Sequence, residues 1–238
     1  MRSRNVIDMH LVNRMQAFGW PLLAVAFAFT IVMTVGLIVG SQGPEARAGM
    51  YDGMQWNGAI FSLLGPLIGY GFTSMGQYFP LALGLGLTRR EFATGLSLVF
   101  LGNAAVYSVL ITIGKTLEKA TDGFGLHVRF FDVFYTGTGA SWQTLVQTFL
   151  LILGVLFLGA AITAAVLRFG QVFLWASGAV LALLGLGLLA GVLFLDGFGR
   201  ALLELVTIGW GPWMAVIAVI GAVSAGAWMV LVRRTQVS

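Results

Sequence analysis

Residues 114–116 read Gly-Lys-Thr, the closing triplet of a phosphate-binding loop. That loop also needs a glycine five residues before Gly114, and Val109 stands there instead. The triplet ends an apolar run rather than opening a helix after a strand. The triplet is therefore not read as a nucleotide site. The histidines are His10 and His127, far apart in sequence, which argues against a histidine metal site or a Ser-His hydrolase. With no cysteine there is no thiolate ligand, disulfide or sulfur nucleophile. No pair of carboxylates falls inside an apolar run, so a proton relay lacks its usual parts. We expect no enzyme, and no metal or cofactor in this chain.

The uncharged polar residues inside apolar runs are the next candidates. Asn103, in Leu-Gly-Asn-Ala-Ala-Val-Tyr-Ser, is the most conspicuous. Ser74, Thr112 and Gln147 stand with it as groups for lining a pathway or bonding across a helix pair. The pairs Gly36-x-x-x-Gly40, Gly65-x-x-x-Gly69 and Gly187-x-x-x-Gly191 permit close helix crossings.

The elements that position these residues follow from composition. The chain has 238 residues, 58% hydrophobic and 9% charged. A soluble domain is about a quarter charged, so this chain has too few charges to face water, and most of its surface must face lipid. Apolar windows mark spans at about 20–40, 57–76, 91–114, 142–167, 171–195 and 211–232. The expected fold is an all-α integral membrane protein, a single transmembrane domain over 1–238. The first apolar run follows about 18 polar residues and is too long for a signal h-region, so we read it as a retained span.

Six spans place both termini on one side. One face then carries Arg2, Arg4, Arg14, Arg89, Arg90, Arg168, Arg233 and Arg234 against Asp8 and Glu91. The other carries five bases (Arg47, Lys115, Lys119, Arg129, Arg200) against seven acids. The positive-inside rule makes the first face, and both termini, cytoplasmic. Trp20, Trp175 and Trp228 fall near cytoplasmic span ends, and Trp56, Trp142, Trp210 and Trp213 near outer ends, as interfacial rings should. No basic cluster sits in polar surroundings, so no nucleic acid is expected as a partner.

Three pieces remain outside the spans. The N-terminal segment has the mixed pattern of an interfacial amphipathic helix. The stretch 115–141 is too aromatic for a free linker. Residues 198–208 fit a short outer helix before the last span.

The remaining charged feature is Phe-Pro-Leu-Ala-Leu-Gly-Leu-Gly-Leu-Thr-Arg-Arg-Glu-Phe, residues 79–92. An unbroken helix from Asn57 to Leu87 would have 31 residues. At about 1.5 Å each that is about 46 Å, against a hydrocarbon core of about 30 Å. Pro80 offers a break, with Gly84 and Gly86 loosening the chain after it, so 78–86 reads as a short helix at the cytoplasmic surface. Thr88 and Glu91 have capping-box spacing and start the third span. Arg89 and Arg90 would each cost roughly 2.5–3.5 kcal/mol in mid-membrane, so they must meet headgroups, water or a protein. An ordinary positive-inside turn accounts for the arginines alone. The apolar helix before them, with Leu81, Leu83, Leu85 and Leu87 facing the cytosol, argues for a docking surface of apolar anchors flanked by charge.

Phe-Pro-Leu-Ala-Leu-Gly-Leu-Gly-Leu-Thr-Arg-Arg-Glu-Phe-Ala-Thr-Gly, between a second and a third span, resembles the first cytoplasmic loop of ABC-2-type permeases. These are membrane subunits of ATP-binding-cassette exporters. The resemblance implies that 78–90 is a coupling helix seated in a separate ATPase, with ATP and magnesium bound by that partner. On it, Phe79, Pro80, Leu81, Leu83, Leu85, Thr88, Arg89, Arg90 and Glu91 form the ATPase contact. It also implies a dimer of permeases, homo- or heteromeric, in a bacterial inner membrane, with export as the direction; the largely apolar spans suggest a lipophilic or amphipathic cargo such as a drug, lipid, peptide or antibiotic. Two other readings stay open: a six-span substrate-binding subunit of a vitamin-type importer, and a non-transporting scaffold or immunity protein.

Overall fold

The computed structural model describes residues 6–10, 13–137, 139–206 and 209–234, with the side chains of 205, 206 and 234 left out. The described chain is helical with no strand. Six helices are long and apolar enough to cross a membrane. They are α1 (Met15–Gly40), α3 (Ala59–Gly84), α4 (Arg89–Ala120), α5 (Ser141–Phe169), α6 (Gln171–Phe194) and α8 (Trp210–Arg234). Two shorter helices lie between them, α2 (Pro44–Gly53) and α7 (Phe198–Val206). The second of these was expected from sequence; the first was not.

The hub is α5, on which α3, α4 and α8 all pack. It serves three neighbours because its inward positions are small or slender: Gly159, Ala160, Ala161, Ala164 and Ala165. Backbones meet where glycine faces backbone. A Cβ on Gly71 of α3 would lie 2.6 Å from the Leu156 carbonyl oxygen, and one on Gly159 of α5 would lie 2.5 Å from that of Ile68. A second crossing pairs Gly154 of α5 with Gly221 of α8, where a Cβ on Gly154 would lie 3.4 Å from the Gly221 Cα. The three glycine pairs singled out from sequence make no such crossing. Gly65, Gly69 and Gly187 have open space beside them, while Gly36, Gly40 and Gly191 meet side chains of Val128, Arg47 and Phe198. A crossing needs one small residue from each of two distant segments, which repeat spacing within one span does not report.

Three boundaries differ from expectation. First, α3 does not break at Pro80. It runs on through a π-helical turn, Ser74–Tyr78, into Phe79–Gly84, with Pro80 in the first turn after the π segment, where a missing N–H costs little. Second, α4 continues past residue 114 to Ala120, because Lys115 and Glu118 find buried partners. Third, Trp228 is fully buried against Phe157, ring centroids 5.4 Å apart, rather than held at an interface.

Helical residues 6–10 fold onto α3: Val6 and His10 are buried, and His10 Nδ1 lies 3.0 Å from the Tyr70 hydroxyl, with its ring against Tyr78. Burial lowers the His10 pKa from 6.5 to about 4, so the ring is neutral there. The rest of the expected N-terminal helix, residues 1–5 and 11–12, lies outside the described residues.

Candidate functional site

The turn between α3 and α4 is built from both sides. Gly86 has φ +79°, the left-handed conformation glycine takes without strain. Leu87 N–H donates to the Ala82 carbonyl and Gly86 N–H to the Leu83 carbonyl, each at 3.0 Å, which is a Schellman ending for α3. Two residues later Thr88 opens α4: Glu91 N–H donates to Thr88 Oγ1 at 3.2 Å, and Thr88 N–H donates to Glu91 Oε2 at 2.8 Å. The capping box read from the sequence is present. Gly86 therefore fixes the chain here rather than loosening it.

These caps sort the residues of the expected partner surface. Helical periodicity cannot put leucines at every second position on one face. Leu81 and Leu85, one turn apart, are exposed at 50% and 69%, whereas Leu83 is half-buried and Leu87 is turned inward. Phe79 is fully buried and stacks on Phe92 at 5.1 Å, so it supports the tip from behind. Pro80 is half-buried and Thr88 exposed. Arg89 is half-buried and donates to the Arg233 carbonyl at the end of α8, while Arg90 is exposed. Arg89, Arg90 and Arg233 rim a shallow groove of about 640 Å³ floored by Ala93, Met229 and Val232. The tip therefore presents two exposed leucines, and the start of α4 that follows it contributes to a basic groove.

The four polar candidates divide. Ser74 donates to the Tyr70 carbonyl, Thr112 to that of Ser108, and Asn103 to that of Val99. All three bond back into their own helix, four residues earlier, and link no helix pair. Gln147 alone reaches another element, donating through Nε2 to the Tyr135 carbonyl at 2.8 Å, and it also lines a cavity.

Lys115 and Glu118 fall in the outer segment 115–141 by the sequence reading, whereas the structure puts both inside α4 and buries them. The Lys115 ammonium donates to the carbonyls of Gly137 and Gly139 and to Thr144 Oγ1, and lies 3.4 Å from Asp132. The Glu118 carboxylate accepts from the backbone N–H groups of Phe130, Phe131 and Asp132 at 2.7–3.0 Å. Together they tie residues 130–132, Gly137 and Gly139 to the last turns of α4. Lys119, mostly outside, adds an ion pair to Asp132. A sequence signal was present: Tyr107, Ser108, Ile111, Lys115 and Glu118 continue one helical stripe. The Gly-Lys-Thr triplet thus contributes a structural clamp.

Comparison with protein-family models, with curated proteins and with solved structures finds no match.

Proposed function

We propose that this chain is the membrane-spanning permease subunit of an ATP-binding-cassette exporter. ATP hydrolysis in a separate nucleotide-binding subunit would drive it, and the cargo would be a lipophilic or amphipathic molecule. The observation that carries the reading is the α3–α4 turn. It is short, capped on both sides and backed by the Phe79–Phe92 stack, yet it offers Leu81, Leu85 and Arg90 outward. A rigid step with apolar anchors and adjoining cations transmits force from a docked protein better than a mobile loop does. The positive charge at this end supports a cytoplasmic location for it and for both termini, in a cell membrane. The nearly unpacked α6 leaves room for the second permease subunit of such a transporter.

The test is co-expression with the ATPase encoded by a neighbouring reading frame, followed by purification and reconstitution. The proposal expects a stable complex whose ATPase rate depends on this chain. Leu81→Asp with Leu85→Asp, or Arg90→Glu, should lower association and coupled turnover while the permease still folds. Full retention of both in these variants overturns the proposal, as does a neighbourhood with no such ATPase.

A further inference from the structure

Helices α5 and α8 touch at several heights, two of which bracket a gap. Near their starts, Trp142 and Trp210 meet edge to face with ring centroids 5.1 Å apart. Further along, Gly154 and Gly221 bring the backbones together. Between these contacts lies a cavity of about 790 Å³, lined from both helices. Phe61, Phe134 and Tyr135 wall it at the back, and the exposed Val216 and Ile220 stand at its lipid-facing rim. Its size is that of sites holding drug-sized ligands, about 300–1,000 Å³.

The lining chemistry is selective. Among the described residues, no charged side chain lines the cavity. It does hold polar groups short of partners. Gln147 is 7% exposed; its Nε2 is used on Tyr135, and its Oε1 has no partner among the described residues. The indole Nε1 of Trp210 is likewise buried and has no partner among the described residues. Both side chains come within 4 Å of the point where a Gly137 side chain would begin, at 2.8 Å for Gln147 Oε1 and 3.8 Å for Trp210 Cδ1. An acceptor without a donor and a donor without an acceptor thus share one corner of an apolar, aromatic chamber. A buried polar group left unmade is costly, and a ligand that supplies its partner removes that cost.

We propose that this cavity binds an uncharged amphiphile, with an aromatic or alicyclic body lying against Phe61, Tyr135 and Trp213 and a hydroxyl or amide meeting Gln147 and Trp210. A charged head is disfavoured because nothing in the lining neutralises it. The inference stands apart from the export reading: a chain that binds such a molecule without coupling to an ATPase keeps the site and loses the transporter.

The test uses the full chain in nanodiscs of dioleoylphosphatidylcholine, titrated with tritiated estradiol, an uncharged amphiphile with a hydroxyl at each end. Saturable binding above that of empty nanodiscs is expected. Gln147→Leu should weaken it about tenfold, the effect of one lost hydrogen bond. Ile217→Trp, which fills the chamber, should abolish it, and estradiol sulfate should bind at least about tenfold more weakly than estradiol. Thermal melting checks that each variant is folded, and Gln143→Leu or Val216→Trp replaces one that is not. Absence of saturable binding overturns the proposal. So do folded variants that bind like the wild type, and a sulfate that binds as tightly as the parent. Competition with dioleoylglycerol separates the sources, and either result supports the site: displacement assigns the occupant to the bilayer, and no displacement to free solute.

Discussion

Arg89 donates from Nη1 to the Arg233 carbonyl oxygen at 2.8 Å, tying the first turn of α4 to the last turn of α8 across 144 residues of chain. A cation at a helix C-terminus satisfies an orphan carbonyl and opposes the negative end of the dipole. The two adjacent arginines therefore have different work. Arg89→Ala should destabilise the fold by about 1 kcal/mol, read as a lower melting temperature in detergent. Arg90→Ala should leave the melting temperature unchanged within error.

The crossing of α3 and α5 predicts a sharp positional contrast among glycines. Gly71→Ala and Gly159→Ala each drive a methyl into facing backbone, which cannot rotate away. Each should cost about 1–3 kcal/mol or prevent assembly. Gly65→Ala and Gly69→Ala meet open space and should be neutral in the same thermal assay.

Burial of Lys115 and Glu118 predicts that each depends on its partners. Lys115→Met removes one of the two cations on Asp132 and the ammonium donor to Gly139 and Thr144, and Glu118→Gln cannot accept from three backbone N–H groups as the carboxylate does. A buried polar group left without its partner costs about 1–3 kcal/mol. The expected signature is faster tryptic cleavage after Arg129 in both variants. Lys119→Ala, at an exposed position, should show none.

His10 predicts a pH effect with a defined sign. The packed ring resists protonation until about pH 4, whereas the released segment takes a proton from about pH 6.5 downward. Packing onto Tyr70 and Tyr78 should be full above pH 6.5, weaken steadily as pH falls to 4, and level off below. At about 1.4 kcal/mol per unit the whole window corresponds to roughly 3 kcal/mol. Between pH 7 and pH 5 the melting temperature should drop further for the wild type than for His10→Gln. Equal drops would assign the effect to other groups.

What the sequence revealed depended on how local the physics was. The Thr88–Glu91 box spans four residues of one turn, so spacing alone identified it. The six spans were legible for the same reason, since a membrane helix declares itself by length and apolarity. Lys115 and Glu118 were misplaced because an apolar window ends wherever charge begins, and their partners lie 12–29 residues further on. Trp228 was misplaced because an amphipathic ring suits an interface and a tight core equally, and only Phe157 decides between them. The cavity between α5 and α8 could not be read at all. Its corner joins Gln147 and Trp210 through Gly137, three residues on three separate segments.

The matched contacts Trp142–Trp210, Gly154–Gly221 and Phe157–Trp228 advance together, so α5 and α8 run in the same direction. Two such neighbours oblige the polypeptide to travel back across the bilayer between them, and α6 is that return leg. Only Gly191 in it is buried. Its sequence answers to almost no fellow helix of its own chain, so outside any face a second subunit covers one aliphatic residue can replace another. Mutational drift should therefore accumulate in α6 while the glycines and alanines of α5 stand still.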